Sequence, residues 1–191
     1  SDIDALEGAV FQVEVTGTFR DPEIGEHTSA GAGSGFFIDA DGTAITNNHV
    51  VTGASIVKAL VAGTEYSARV VAASECSDVA VIKVDGDDDF AFLDWYAGDI
   101  KPGLDIYVAG YPLGDAPFTL TDGIVSRATG VIDENWAWVA NSFEHTADTN
   151  PGNSGGPLVT AEAEVVGVHY AGYAETDQHW AISRDDVEAI L

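Results

Sequence analysis

The sequence predicts an all-β fold, built as a sandwich or a barrel. Short runs of β-branched and aromatic residues recur along the chain, and Gly, Asp, Asn and Pro separate them. Amphipathic helical periodicity is scarce before residue 184. The length of 191 residues allows one large domain or two small ones with a sizeable core.

The first half of the chain contains six predicted strands. Their residues are 10–15, 36–38, 43–46, 55–61, 66–72 and 79–84. The turn Asp39–Gly42 between the second and third runs is a hairpin signal. The acidic run 85–89 lacks the ligand spacing and the closing glutamate of an EF-hand, which favours a solvated turn over a calcium loop.

The second half begins with a less regular stretch and then returns to the strand pattern. Strands are predicted at 105–109, 123–126, 136–139, 156–159 and 165–170. Ser183 precedes two acidic residues in the form of a helix N-cap, and apolar residues follow at helical spacing. A terminal helix over 184–191 is therefore expected.

Acidic residues dominate the charge, with 32 Asp and Glu against 7 Lys and Arg and a net charge of −25. A field of this sign repels phosphate backbones and anionic lipid, so neither nucleic acid nor a membrane surface is an expected partner. The excess fits ordinary acidic solubility, or a halophilic surface whose self-repulsion salt would screen.

Other features restrict the class further. No apolar run approaches 18 residues, so no membrane insertion is expected. Cys76 is the only cysteine and cannot form an intrachain disulfide. The start Ser1–Asp4 has neither a basic nor an apolar signal-peptide region, so no signal peptide is expected within this chain.

The segment Gly152-Asn153-Ser154-Gly155-Gly156 carries the most specific chemical signal. Glycines on both sides of a serine permit a tight turn and a close approach of the backbone to a substrate. Such a turn can direct the N–H groups of Gly152 and Ser154 at one point, which is the geometry of an oxyanion hole. The alternative is a glycine-rich turn with an incidental serine.

A serine hydroxyl needs a base to become a good nucleophile, and His49 is the candidate. It follows an apolar strand and opens a polar turn. Asp78 stands directly before the apolar run 79–82, where an unpaired carboxylate would be costly, and it could orient the histidine. A structural histidine and a turn aspartate are the alternatives.

Together these segments resemble the chymotrypsin-like serine proteases, in their HtrA/Deg-type branch. The matching segments are 33–39, 46–51, 77–84, 110–114, 123–126 and 150–158. The resemblance implies two six-stranded antiparallel β-barrels in a single protease domain, divided as 1–97 and 98–191, with a short C-terminal helix. It implies His49 as general base and acid, Asp78 as its orienter and Ser154 as nucleophile, with no cofactor or metal.

The function expected from this resemblance is a serine endopeptidase that acts on polypeptides through an acyl-enzyme. Its expected location is extracytoplasmic, whether secreted, periplasmic or in the cell envelope, and protein quality control is a further hypothesis. Two alternatives stay open, a silent protease-like binding module and an esterase that uses the same triad.

Three predictions of the side chain that the P1 pocket prefers remain open. Asp148 lies at the offset from Ser154 that holds the acidic pocket floor in trypsins, which would favour Arg or Lys. Thr149 and His169 resemble the pair that receives a carboxylate in glutamyl endopeptidases, and Gly172 lies on the same later strand as His169. The HtrA/Deg-type branch commonly takes small aliphatic residues. The expected order is acidic, small aliphatic, then basic, with His169 as a core histidine paired to Asp148 as the alternative.

Overall fold

The computed structural model describes residues 5–21, 25–86, 89–114, 117–134, 137–173 and 178–191. Within them the chain forms two closed six-stranded antiparallel barrels with a few short helices. The predicted fold class is confirmed. The division of the chain into 1–97 and 98–191 stays a prediction.

Strands β1 to β6 close the first barrel in the order β1-β2-β3-β6-β5-β4. Two helices of four residues belong to this half, α1 before β1 and α2 directly after β3. The elements are α1 (Leu6–Ala9), β1 (Val10–Asp21), β2 (Gly25–Phe37), β3 (Thr43–Asn47), α2 (Asn48–Val51), β4 (Ala54–Val61), β5 (Thr64–Ser74) and β6 (Val79–Val84).

Strands β7 to β12 close the second barrel in the order β7-β8-β9-β12-β11-β10. A 3₁₀ turn (Pro112–Gly114) follows β7, and helix α3 ends the chain. The elements are β7 (Asp105–Gly110), β8 (Thr119–Glu134), β9 (Ala137–His145), β10 (Pro157–Val159), β11 (Val165–Tyr173), β12 (Gln178–Ser183) and α3 (Arg184–Glu188).

The predicted runs each overlap an observed strand, but several observed strands extend well beyond them. Strand β2 begins at Gly25, because its glycine-rich first part pairs along β1 although Thr28 is its only β-branched residue. Strand β12 was not predicted. Helix α3 ends at Glu188, short of the predicted end at 191. Trp136 of one predicted strand and residues 87–88 of the acidic run lie outside the described residues.

Alternation along the strands divides the core into three clusters. Phe37 points into the first barrel, whereas its neighbour Phe36 belongs to the cluster between the two barrels. Ile106 and Val108 lie inside the second barrel. Strands buried on both faces explain why runs such as 79–82 are continuously apolar. Among the described helices, none has the length and apolar character to cross a bilayer.

Replacing Phe37 with Ala should lower the free energy of unfolding by about 3–5 kcal/mol, because it leaves a cavity in the first barrel. The Phe37 ring is fully buried between Phe11 at 4.6 Å and Phe90 at 4.4 Å, measured between ring centroids. The matched control is Phe92→Ala, since that side chain is 48% exposed and should lose much less. Denaturant unfolding measures both, and equal losses would contradict this core assignment.

Candidate active site

His49 and Asp78 meet at one end of the first barrel. His49 lies in α2, directly after β3, and Asp78 lies in the turn before β6, which is the neighbour of β3 in the barrel. The His49 ring Nδ1 is 2.5 Å from Asp78 Oδ2, and the His49 backbone N–H donates to Asp78 Oδ1 at 2.7 Å. Two contacts from one residue fix both the position and the rotation of the imidazole.

Asp78 is held in place by its backbone as well as by its carboxylate. The side chain of Asn47 and the backbone N–H of Asn48 both donate to the Asp78 carbonyl, at 2.9 and 3.1 Å. Asp78 is 1% exposed and has a φ of +50°, a left-handed conformation that Asp adopts more readily than most residues. The carboxylate is therefore buried, paired and unable to turn away from His49.

Ser154 lies on the turn between β9 and β10 of the second barrel, and the backbone around it is tightly bonded. Six backbone carbonyls of this turn accept a hydrogen bond. Backbone N–H groups donate to five of them: Asn153 to Asn150, Leu113 to Pro151, Gly156 to Asn153, Ser34 to Ser154 and His169 to Gly156. The Ser34 hydroxyl donates to the sixth, the carbonyl of Gly152.

Between Pro151 and Gly156, two N–H groups have no acceptor among the residues that the structure describes. They belong to Gly152 and Ser154, the two predicted oxyanion donors. Gly152 has a φ of +104°, and a Cβ there would lie 2.6 Å from the carbonyl oxygen of Tyr111, so only glycine fits. The arrangement can present two donors to a negatively charged oxygen.

A cavity of about 420 Å³ joins the two halves of the site. His49 and Ser154 line it, together with residues 149–151 and 169–172. The Ser154 hydroxyl donates to the carbonyl of Tyr170 at 3.4 Å, a long contact. The first barrel thus contributes the histidine and the second barrel the serine.

Comparison with known proteins matches a trypsin-like peptidase domain to residues 33–168 of this chain. The chain belongs to the trypsin-like peptidases. Relatives with names of the HtrA and DegP type are among its matches. The serine protease Do-like HtrA of Bacillus subtilis is 37% identical over 86% of the chain, and a probable periplasmic serine endoprotease DegP-like of Hahella chejuensis is 36% identical over 86%.

Solved structures agree with this assignment. The active form of the Rv3671c protease from M. tuberculosis superposes with a TM-score of 0.84 at 26% identity, covering 99% of this chain and 82% of that one. The HtrA-type protease AlgW, solved with a tripeptide, has a TM-score of 0.81 and covers 96% of this chain and 58% of its own. The chain spans 35% and 37% of the length of the two sequence relatives.

The pocket beside Ser154 differs in part from the expectation. Thr149, His169 and Gly172 line the cavity, whereas Asp148 does not; Asp148 is exposed, and its backbone carbonyl accepts from Thr121. The structure therefore does not place Asp148 at the pocket floor. His169 is 2% exposed, and its Nδ1 has no partner among the described residues, so it is not paired to Asp148.

His179 on β12 is the histidine that contacts Thr149 in this peptidase. Its Nδ1 is 2.7 Å from Thr149 Oγ1. A Cβ at position 172 would lie 2.9 Å from the same nitrogen, so Gly172 leaves this side of the pocket free. Sequence reasoning missed His179, since the strand that carries it was not predicted.

Three histidines pack together behind the pocket on adjacent strands. The ring of His145 on β9 lies 5.5 Å from that of His169 and 5.6 Å from that of His179, between centroids. Burial lowers the pKa of His145 to about 3, and the nearby His179 adds to this effect. Burial also lowers the pKa of His169 well below its usual value, helped by its histidine neighbours. Both rings are therefore neutral at pH 7.

This cluster should make the trypsin-like domain less stable in acid. The unfolded chain binds protons at these histidines near pH 6.5, but folded His145 does not until about pH 3. Stability is therefore unaffected by His145 above about pH 7 and falls as the pH drops below 6.5. Replacing His145 with Leu should reduce the loss between pH 7 and pH 5 by about 2 kcal/mol.

Denaturant titrations of both proteins at pH 7, 6 and 5 measure this difference. The comparison uses the slope of the unfolding free energy against pH. A change in stability that is the same at every pH therefore does not affect the result. Parallel slopes for the two proteins would contradict a neutral buried His145.

Proposed function

We propose that this domain is a serine endopeptidase with Ser154 as nucleophile, His49 as general base and acid, and Asp78 as the residue that orients the imidazole. The observation that carries the proposal is the shared cavity. It brings the His49–Asp78 pair and Ser154 together, beside two N–H groups without acceptors. Relatives described as serine proteases support the same activity.

In the proposed reaction, Ser154 Oγ attacks the carbonyl carbon of the scissile peptide bond while His49 Nε2 takes the hydroxyl proton. The Ser154 hydroxyl first turns from the Tyr170 carbonyl toward His49. The carbonyl oxygen becomes negative and accepts hydrogen bonds from the N–H groups of Gly152 and Ser154. His49 then gives its proton to the leaving amine, and water hydrolyses the acyl-enzyme by the same route.

Asp78 contributes through His49. Its carboxylate accepts the Nδ1 proton, so Nε2 is left free to receive the proton of Ser154. It also stabilises the imidazolium that forms. We propose polypeptides as substrates, with no nucleic-acid partner, no cofactor and no metal. We also propose an extracytoplasmic location, by analogy with the periplasmic DegP-like relatives.

Ser154→Ala should abolish peptide hydrolysis while the melting temperature stays close to that of the wild type, because the hydroxyl is the acyl acceptor.

Asp78→Asn should keep the fold and lower kcat by about 10⁴-fold, since an amide can hold His49 in the wrong tautomer. Peptide turnover and fluorophosphonate labelling of Ser154 measure both effects.

Three results would contradict this assignment. An unlabelled wild-type Ser154 would favour a silent binding module. Equal peptide turnover by wild type and Ser154→Ala would place the nucleophile elsewhere. Turnover of simple esters without turnover of any peptide would favour an esterase.

We further propose that the P1 pocket prefers an acidic side chain, as in the glutamyl endopeptidases that the sequence resembles. The Thr149 hydroxyl would donate to the substrate carboxylate and accept from His179 Nδ1, which lies 2.7 Å away. His169 would form the inner wall. A carboxylate in the pocket would also favour protonation of the neighbouring histidines, which supplies the opposite charge. The exposed position of Asp148 removes the main argument for a basic P1 residue.

Peptides that differ only at P1 as Glu, Val and Arg test this preference. Thr149→Val should lower kcat/KM for Glu by roughly 100-fold and leave Val nearly unchanged, whereas Thr149→Ser should retain most of the activity on Glu. His169→Ala should act in the same direction. Fastest cleavage after Val in the wild type would favour the small aliphatic preference, and fastest cleavage after Arg would favour Asp148.

A further inference from the structure

Ser34 is a buried serine of the first barrel that touches the nucleophile turn of the second. It lies on β2 and is 0% exposed. Its hydroxyl donates to the carbonyl of Gly152 at 2.7 Å and accepts from the backbone N–H of Tyr111 at 2.9 Å. A single hydroxyl thus joins two separate segments of the other barrel, using its proton for one and a lone pair for the other.

The backbone of Ser34 adds to this contact. Its N–H donates to the carbonyl of Ser154 at 2.8 Å, and its own carbonyl accepts from the Thr46 hydroxyl at 2.8 Å. Thr46 is itself fully buried on β3. Ser34 therefore bonds to both Gly152 and Ser154 while the first barrel holds it from behind.

These contacts decide which way the N–H groups of the turn point. In a trans peptide the C=O and N–H bonds point in opposite directions. Because Leu113 N–H binds the Pro151 carbonyl at 2.5 Å, the N–H of Gly152 points away from Leu113. Because Ser34 holds the Gly152 carbonyl, the next N–H, that of Asn153, points back to Asn150 at 3.1 Å. Two successive peptide planes are fixed, and the Gly152 N–H is left without an acceptor.

The 3₁₀ turn that carries Leu113 is also held from the first barrel. Gln12 on β1 is 3% exposed, and its Nε2 donates to the carbonyl of Gly114 at 2.9 Å. Tyr111, at the start of this turn, is the residue whose N–H binds Ser34. Both segments that shape the oxyanion turn are therefore tied to β1 and β2.

We infer that Ser34 is a positioning residue, whose hydroxyl fixes the Gly152 carbonyl and the Tyr111 segment and thereby keeps the Gly152 N–H in the orientation that binds the oxyanion. The inference rests on the proposed function, which assigns Gly152 and Ser154 as the oxyanion donors. Without the hydroxyl, the Gly152 carbonyl and the Tyr111 N–H both lose their partner, so the glycine can rotate more freely and the turn whose Leu113 N–H holds the Pro151 carbonyl is less firmly placed. The Gly152 N–H then spends much of its time turned away from the cavity. Substrate binding is unaffected, because Ser34 does not line the cavity.

The test compares Ser34→Ala with Ser142→Ala. Ser142 is an equally buried serine of the second barrel, 2% exposed, whose hydroxyl has no partner among the described residues. Ser34→Ala should lower kcat by roughly 10- to 100-fold with KM within about twofold of the wild type, since removal of one oxyanion donor costs about 10²–10³. Ser142→Ala should leave both constants unchanged.

A pair of inhibitors separates positioning from a general loss of structure. A peptide aldehyde adds Ser154 Oγ to its carbonyl carbon; the hydroxyl proton leaves through His49, and the new hemiacetal oxygen occupies the oxyanion hole. The matching peptide alcohol binds only as a ground-state ligand. Ser34→Ala should raise the inhibition constant of the aldehyde by the same factor as it lowers kcat and leave that of the alcohol within about twofold.

The remaining outcomes are decisive as well. A folded Ser34→Ala protein with wild-type kcat and aldehyde affinity overturns the inference, and so does equal weakening of aldehyde and alcohol. If Ser34→Ala does not fold, Gln12→Leu replaces it as the test. In that variant an unchanged kcat overturns the inference. A loss of kcat smaller than that expected for Ser34→Ala, with unchanged KM, supports it. Failure of fluorophosphonate to label Ser154 in the wild type would instead refute the proposed function.

Discussion

The site depends on the seam where β2 of the first barrel meets the turn that carries Ser154. The catalytic candidates belong to different barrels, with His49 and Asp78 on the first and Ser154 on the second. Their relative position is therefore a matter of how the barrels pack. A backbone hydrogen bond of 2.8 Å from the Ser34 N–H to the Ser154 carbonyl, and a shared apolar cluster that includes Phe36 and Tyr170, hold that packing. Rigid packing of this kind is what a preorganised site requires.

Two buried polar residues at this seam, Ser34 and Asp78, each make several hydrogen bonds. The Ser34 hydroxyl serves two backbone groups, and the buried Asp78 receives hydrogen bonds on both its carboxylate and its carbonyl. Buried polar groups are costly unless paired, so each of these bonds also restricts where the neighbouring segment can lie. The two N–H groups left without acceptors stand out against this background, and they adjoin the cavity.

The three-histidine cluster has a different electrostatic character from the rest of the molecule. The chain carries a net charge of −25, yet the buried imidazole of His169 on the cavity wall, and that of His145 behind it, are neutral at pH 7. Imidazoles can become cations when a negative group approaches, whereas the surrounding acidic surface cannot. An acidic side chain in the pocket would thus lie near imidazoles that can become protonated in response to its charge. The strand order β9-β12-β11 brings the three rings together.

Much of this protein could be predicted from local sequence. Runs such as 10–15 and 79–84 are strands because their apolar and β-branched residues are buried on the faces of a sheet, and the structure confirms the fold class. The segments around His49, Asp78 and Ser154 could be identified one by one, since glycine spacing and a polar residue beside an apolar strand are local signals. The family match to residues 33–168 covers all three.

Tertiary structure alone decided the long-range relations. The glycine-rich part of β2 is a strand because β1 pairs with it, although its own residues have low strand propensity. Thr149 contacts His179 instead of His169, because the register of β12 against β11 places His179 opposite Gly172. Asp148 is exposed to solvent. Ser34 meets Gly152 across 118 positions of sequence. A sequence specifies which groups need partners, but which partner each one finds depends on the closure and packing of both barrels.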